Sequence, residues 1–221
     1  MNVEDRRPAL TRERVFTTAL ALIDADGVDA LSMRRLGKAL DRDPMRLYRH
    51  ADSKDALLDG VVELVVSELR VPAAENGDWE GALRRTAHAY REITLAHPHV
   101  VPLLVTRPLA TPLARRPRGT LRPLEDLLEL LTTAGFGARE ALYAYRLFIG
   151  FLHGHVLNEL QERLDDPDEA DDVLRLGLQL LPIREFPRLR ELAPALAVYD
   201  GARELDEGLD IVLAGLRARV G

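Results

Sequence analysis

No cysteine occurs among the 221 residues, which excludes disulfides, thiolate nucleophiles and sulfur-ligated metal centres. Aromatics are scarce: five tyrosines, five phenylalanines and one tryptophan. No apolar run approaches the roughly 20 residues that a membrane-spanning helix takes. Met1 to Pro8 is charged and has no apolar stretch of the signal-peptide kind, so the expectation is a soluble, cytoplasmic chain. Apolar/polar alternation of useful length is missing, which argues against β-structure, and there is no internal repeat. Glu-x-x-His pairs, glycine-rich phosphate loops and nucleophile elbows are also missing, so nothing supports catalysis. What is present is 47% apolar composition, enough for a real core. Helical periodicity along most of the chain makes the fold class all-α.

Charge is unevenly spread. The net value is −6, yet between Ser32 and Lys54 seven bases face three acids, leaving −10 on the remainder. A small basic region on an acidic body suits a nucleic-acid contact better than the total suggests. The same region reads as two short helices about a tight turn. Ser32 is a good N-cap for the first, with Leu36 and Leu40 facing inward and Ala39 small enough for a close helix crossing. The turn is Asp41-Arg42. Asp43 caps the next helix, Pro44 stands at its first position where a missing N–H costs nothing, and Leu47 anchors it in the core; it should end near His50. Helix 1 precedes them from Thr11 to about Ala25, with Val15, Ala19, Leu22 and Ile23 as its buried stripe and Gly27 as its stop. Ser53 caps a fourth helix carrying Leu57, Leu58, Val61, Leu64, Val65 and Leu69. Such a pair of helices fits a DNA major groove. The division expected is a flexible arm over 1–10, a three-helix helix-turn-helix DNA-binding domain over 11–54, and a larger helical body over 55–221.

Further along, 71–78 reads as a loop and 79–96 as a helix. Prolines from Pro98 to Pro123 break the chain into short pieces, and a helix over 121–133 stops at Gly135. A long helix follows over 138–164. An acidic turn over 165–172, a short helix over 173–181 and a final helix to about Arg219 complete the chain. The long helix carries one apolar stripe of Leu142, Tyr145, Ile149, Leu152 and Val156 and another of Leu147, Phe148 and Phe151. Apolar residues on more than one side call for cover on more than one side. Gly201, Gly208 and Gly215 recur every seven residues beside Leu205, Leu209, Val212 and Leu216, and an interior helix glycine costs about 1 kcal/mol against alanine. The two helices together suggest a four-helix bundle across a two-fold axis. The dimer-interface expectation is Ile149, Leu152, Val156, Leu205, Gly208, Val212 and Gly215.

Residues Leu31-Ser32-Met33-Arg34-Arg35-Leu36, Pro44-Met45-Arg46-Leu47-Tyr48-Arg49-His50 and Lys54-Asp55-Ala56-Leu57-Leu58 resemble the TetR family of bacterial transcriptional regulators. Thr106-Arg107-Pro108, Ala134-Gly-Phe136, Ala141-Leu-Tyr143 and 207–213 are similar to its tetracycline-repressor branch. The resemblance implies a homodimer that binds a palindromic operator on double-stranded DNA and lets go when a small-molecule effector enters the body. Two positions depart from the family pattern. Asp41 stands where glycine is usual and Arg42 where an aliphatic is usual; aspartate tolerates the left-handed conformation better than most residues, and Arg42 is expected to reach outward, toward phosphate.

The DNA-binding expectation is Ser32, Met33, Arg34, Pro44, Met45, Arg46, Tyr48, Arg49, His50 and Lys54. Arg46 is the base reader, because a guanidinium can donate twice to guanine O6 and N7. Pro44 and Met45 suit thymine methyls or sugars, and Tyr48, Arg49, His50 and Lys54 suit phosphates, which set register. Ligand-binding candidates are Tyr90, His97, Arg107, Tyr145, Phe148, Phe151 and His153: aromatics for an apolar pocket with a few polar tips. Arg107 enters through the family's effector-site loop. No cofactor and no metal are expected, since His153 and His155, two apart on a helix, diverge by about 200°. The competing readings are an all-α enzyme or metal-binding bundle with an incidental basic head, and a protein that coats DNA without regard to sequence.

Overall fold

The computed structural model describes residues 9–110, 112–164, 176–196 and 198–220, and every described element is helical or loop. Most of the expected arm, the whole acidic turn over 165–172 and the start of the short helix after it lie outside the described residues. The helices are α1 (Arg12–Asp26), α2 (Met33–Leu40), α3 (Pro44–Leu47), α4 (Lys54–Val66), α5 (Trp79–Ala96), α6 (Val101–Ala110), α7 (Arg118–Thr133), α8 (Ala138–Leu164), α9 (Pro187–Leu196) and α10 (Gly201–Arg217), with a further helical turn over 176–180. The chain forms two compact units that meet in sequence at Leu130 and Leu131.

In the first unit every early helix begins on a side-chain cap. Thr11, Ser32, Asp43 and Ser53 accept from the backbone N–H groups of Arg14, Arg35, Met45 and Ala56 at 3.2, 3.2, 2.8 and 3.1 Å. Each such cap stabilises its helix by about 1 kcal/mol. They matter most for α2 and α3, which at eight and four residues are too short to stand alone. α1 packs on α2 and α4, and α2 on α3. Leu36, Leu40 and Leu47 are buried beneath the turn as expected. The buried face of α1 is Val15, Phe16, Ala19, Leu20 and Ile23; Leu22 is only half-buried, because the stripe turns toward the Phe16 side. Phe16 lies under the Arg12 guanidinium, 5.0 Å from its ring centroid, and against Gly60 of α4, where any Cβ would collide with the ring.

The close approach between α2 and the turn is made by Gly37, not Ala39, whose side chain is exposed. A Cβ on Gly37 would come within 2.9 Å of the Arg42 carbonyl oxygen and 3.0 Å of Pro44 Cγ. Asp41 takes the left-handed conformation (φ 52°, ψ 50°) that the turn requires, and the Arg42 N–H closes a 2.9 Å bond to the Gly37 carbonyl. Arg42 does not extend toward phosphate as expected; its Nη1 donates to the Asp41 carbonyl at 3.0 Å.

In the second unit α8 packs on α10. The buried face of α8 is Ala141, Ala144, Phe148, Leu152, His155, Val156, Glu159 and Leu160. That of α10 is Gly201, Leu205, Leu209, Leu213 and Leu216. Leu152, Val156 and Leu205, expected at a dimer interface, are therefore core residues of the single chain, saturated by their own neighbours. Two of the spaced glycines are also explained within the chain. A Cβ on Gly208 would sit 2.5 Å from Phe151 Cζ, and one on Gly201 would sit 2.5–2.8 Å from the Glu159 carboxylate. Gly215 is exposed, and a Cβ there would meet nothing within 4 Å.

Candidate nucleic-acid interface

The ten residues expected to touch DNA lie at the surface; none is buried. Arg34, Arg46, Arg49 and Lys54 are exposed, Met45 is 71% exposed, and Met33, Pro44 and His50 are partly covered. Their arrangement follows from the caps and the core. Asp43 starts α3 and Leu47, with no accessible surface, pins its inner side, so Met45, Arg46, Tyr48 and Arg49 point away from the body. α3 ends at Leu47, earlier than the sequence suggests, and 48–50 continue as hydrogen-bonded turns, with the His50 N–H on the Leu47 carbonyl at 2.8 Å. Ser32 contributes its hydroxyl oxygen to the α2 cap. Arg35, beside the exposed Arg34, is paired with Asp26 of α1. Exposed guanidinium and ammonium groups, together with an exposed methionine and phenol, can contact both base edges and phosphate oxygens.

Two links tie α1 and α4 to the following segment. His97 Nδ1 lies 2.9 Å from Asp24 Oδ2, and His99 Nδ1 lies 3.1 Å from the carbonyl oxygens of Ile23 and Asp24, so the turn Pro98–Val100 grips the C-terminal end of α1. Arg107 of α6 reaches α4: Nε donates to Asp59 at 2.6 Å, and Nη2 to the Asp55 carboxylate at 3.0 Å and the Asp55 carbonyl at 2.8 Å. His97 and Arg107, expected to face a ligand, are thus committed to holding α1 and α4. The sequence carried no signal for these pairs, because the partners are 73 and 48 or more positions apart.

The other ligand candidates scatter. Tyr90 is buried in α5 and Phe148 is fully inside the core of the second unit, which corrects the expectation that it lines a pocket. Tyr145, Phe151 and His153 are half-buried on α8, and burial holds the His153 imidazole below the usual histidine range, favouring the neutral ring. Phe151 packs its ring 6.1 Å from that of His155. Two open cavities among the described residues are relevant here. One, in the first unit, is a groove of about 620 Å³ lined by Leu113, Ala114, Leu121, Leu124 and Leu128 together with Arg118, Arg122 and Glu125. The other, of about 330 Å³, lies in the second unit between Phe136, Tyr143, Leu147 and Leu216. None of the seven candidates lines either cavity. Among the described residues no group of His, Asp or Glu side chains is arranged to hold a metal ion, and no helix is long and apolar enough to cross a membrane.

Comparison with known proteins agrees with this geometry. Residues 15–61 match the domain family described as bacterial regulatory proteins, tetR family, and residues 71–220 match the tetracyclin repressor-like C-terminal domain. An HTH-type transcriptional regulator of Saccharopolyspora erythraea is 31% identical over 97% of this chain and 88% of its own. The class C tetracycline repressor protein of Escherichia coli is 28% identical over 94% of this chain and 90% of its own. Among solved structures, the Streptomyces coelicolor TetR family protein ActR in complex with actinorhodin superimposes with a TM-score of 0.83 at 32% identity. That match covers 97% of this chain and 100% of ActR.

Proposed function

Because this chain belongs to the TetR family of bacterial regulatory proteins, which are DNA-binding transcriptional regulators, we propose that it is a homodimeric repressor released from a palindromic operator by a small molecule. The observation that carries this reading is the presentation of Arg46: exposed, on a capped helix whose Asp43, Pro44 and Leu47 leave it little freedom to move. In the proposed complex α3 lies in the major groove and Arg46 donates to guanine, while Arg34, Tyr48, Arg49, His50 and Lys54 hold phosphates and Met45 and Pro44 meet thymine methyls. Ser32 and Met33 border the same groove. The protein works in the cytoplasm, with no cofactor, metal or catalytic step.

The effector is proposed to be largely apolar. The leucine-lined groove of about 620 Å³ supports this. Selection of bound fragments from genomic DNA is the decisive test. A shared two-fold-symmetric sequence is the expected result, and recovery of unrelated fragments in proportion to their abundance would overturn it.

The proposed dimer face is what α8 and α10 leave uncovered. On α8 this is Tyr143, Leu147, Gly150, Gly154 and Leu157; on α10 it is Ile211, 76% exposed, and Gly215. Cβ atoms on Gly150, Gly154 and Gly215 would meet nothing within 4 Å, so packing inside the chain does not account for their helix cost of about 1 kcal/mol each. Close backbone approach by a second copy does. Ile149, Gly208 and Val212, half-buried, stand at the margin of this face. The double variant Leu147→Glu/Ile211→Glu is expected to sediment as a folded monomer. A dimer that persists at micromolar concentration would rule this face out. Gly208→Leu is a poor probe of the same point, because its side chain strikes Phe151 of its own chain first.

A further inference from the structure

Arg107 is a charged side chain held only 19% exposed, and both of its carboxylate partners belong to the first two turns of α4. One guanidinium satisfies Asp55 and Asp59 together, with three donated bonds of 2.6 to 3.0 Å. Asp55 itself is 84% exposed and directly follows Lys54, on a helix whose start is capped by Ser53. Desolvating a guanidinium to reach so exposed a carboxylate gains little stability for the fold. Its larger consequence is electrostatic. This end of α4 is where the proposed reading places DNA phosphates, and an uncompensated pair of carboxylates there would repel them.

We propose that Arg107 is a positioning residue for operator binding that acts by charge. It offsets one of the two negative charges that Asp55 and Asp59 place at the phosphate-facing end of α4, and withdrawing it turns that end into a surface that rejects DNA. α6 thereby governs affinity without touching the duplex. The inference rests on the reading of Lys54 and α3 as the DNA face.

The experiment compares wild type, Arg107→Ala, Asp55→Asn and Arg107→Ala/Asp55→Asn. Each is titrated by fluorescence anisotropy against a random-sequence duplex and against a fragment recovered by selection, at low and at near-physiological salt. Arg107→Ala is expected to weaken binding to both duplexes by roughly tenfold at low salt. The loss should shrink as salt rises, because screening acts on exposed charges. Adding Asp55→Asn should restore most of it, and Asp55→Asn alone should bind a few-fold more tightly than wild type. A loss that salt does not change and Asp55→Asn does not rescue would assign Arg107 to packing and overturn the proposal, as would an unmoved Asp55→Asn. Should Arg107→Ala fail to fold, Arg107→Gln, which keeps most of the stem and removes the charge, takes its place with the same expected and overturning results. A wild-type chain that ignores every duplex at low salt defeats the DNA reading and the proposal with it, whereas normal wild-type binding with unmoved variants defeats the proposal alone.

Discussion

Arg46→Ala is expected to erase the preference for operator over random duplex while leaving thermal unfolding unchanged. The side chain is exposed and belongs to no described ion pair, so the fold loses nothing when it is removed. A bidentate arginine–guanine contact is worth about 1–3 kcal/mol of discrimination, and a two-fold dimer makes it twice, for about 2–6 kcal/mol in all. That corresponds to roughly 30-fold to ten-thousand-fold in the operator-to-random affinity ratio. Affinity for random DNA should fall much less, by the share of one cation per subunit in the salt-dependent term. Parallel titrations on the two duplexes read both quantities. A ratio that survives the substitution would move base reading to another residue, with Arg34 the next candidate by exposure.

The second large effect concerns stability. Gly60→Leu is expected to destabilise the first unit by about 3 kcal/mol or more, at the top of the range for overpacked cores. The reason is the Phe16 ring, which lies where the new Cβ must go and is itself buried between α1 and α4 beneath Arg12. A shift of about 6–10 °C in the midpoint would follow for a chain of this size. The double variant Gly60→Ala/Phe16→Leu should recover much of the loss that Gly60→Ala alone incurs, since the shorter side chain vacates the contact. If the two substitutions prove additive in unfolding free energy, the steric account of this glycine is wrong. In the proposed DNA complex the same contact also bears on binding, because α4 carries Lys54 and α1 packs on α2.

The three-helix head could be read closely from the chain. Thr11, Ser32, Asp43 and Ser53 cap where their chemistry says they should, Asp41 adopts the left-handed turn, and Leu36, Leu40 and Leu47 are buried. These are local effects. A hydroxyl or carboxylate two or three residues before a backbone N–H finds it regardless of what lies elsewhere. Reading failed where a neighbour had to be known. Ala39 and Gly37 are both small, and only the path of the turn selects Gly37 for the crossing. On α8 the apolar residues surround the helix, so periodicity could not say which side meets α10 and which remains open. Leu152 and Val156 went to the core while Tyr143, Leu147 and Leu157 stayed exposed.

By itself the chain determined that it is helical, where its early helices start, and which side chains its short third helix leaves at the surface. These follow from interactions within a turn or two of backbone and from the composition of one short basic region. The fold alone decided that His97 grips α1, that Arg107 serves two aspartates of α4, and that most of the spaced glycines answer to their own chain. Each of those outcomes depends on two groups distant along the backbone arriving within a few ångströms. Steric and electrostatic forces at that range depend on position in space, which residue order does not encode until the helices have packed.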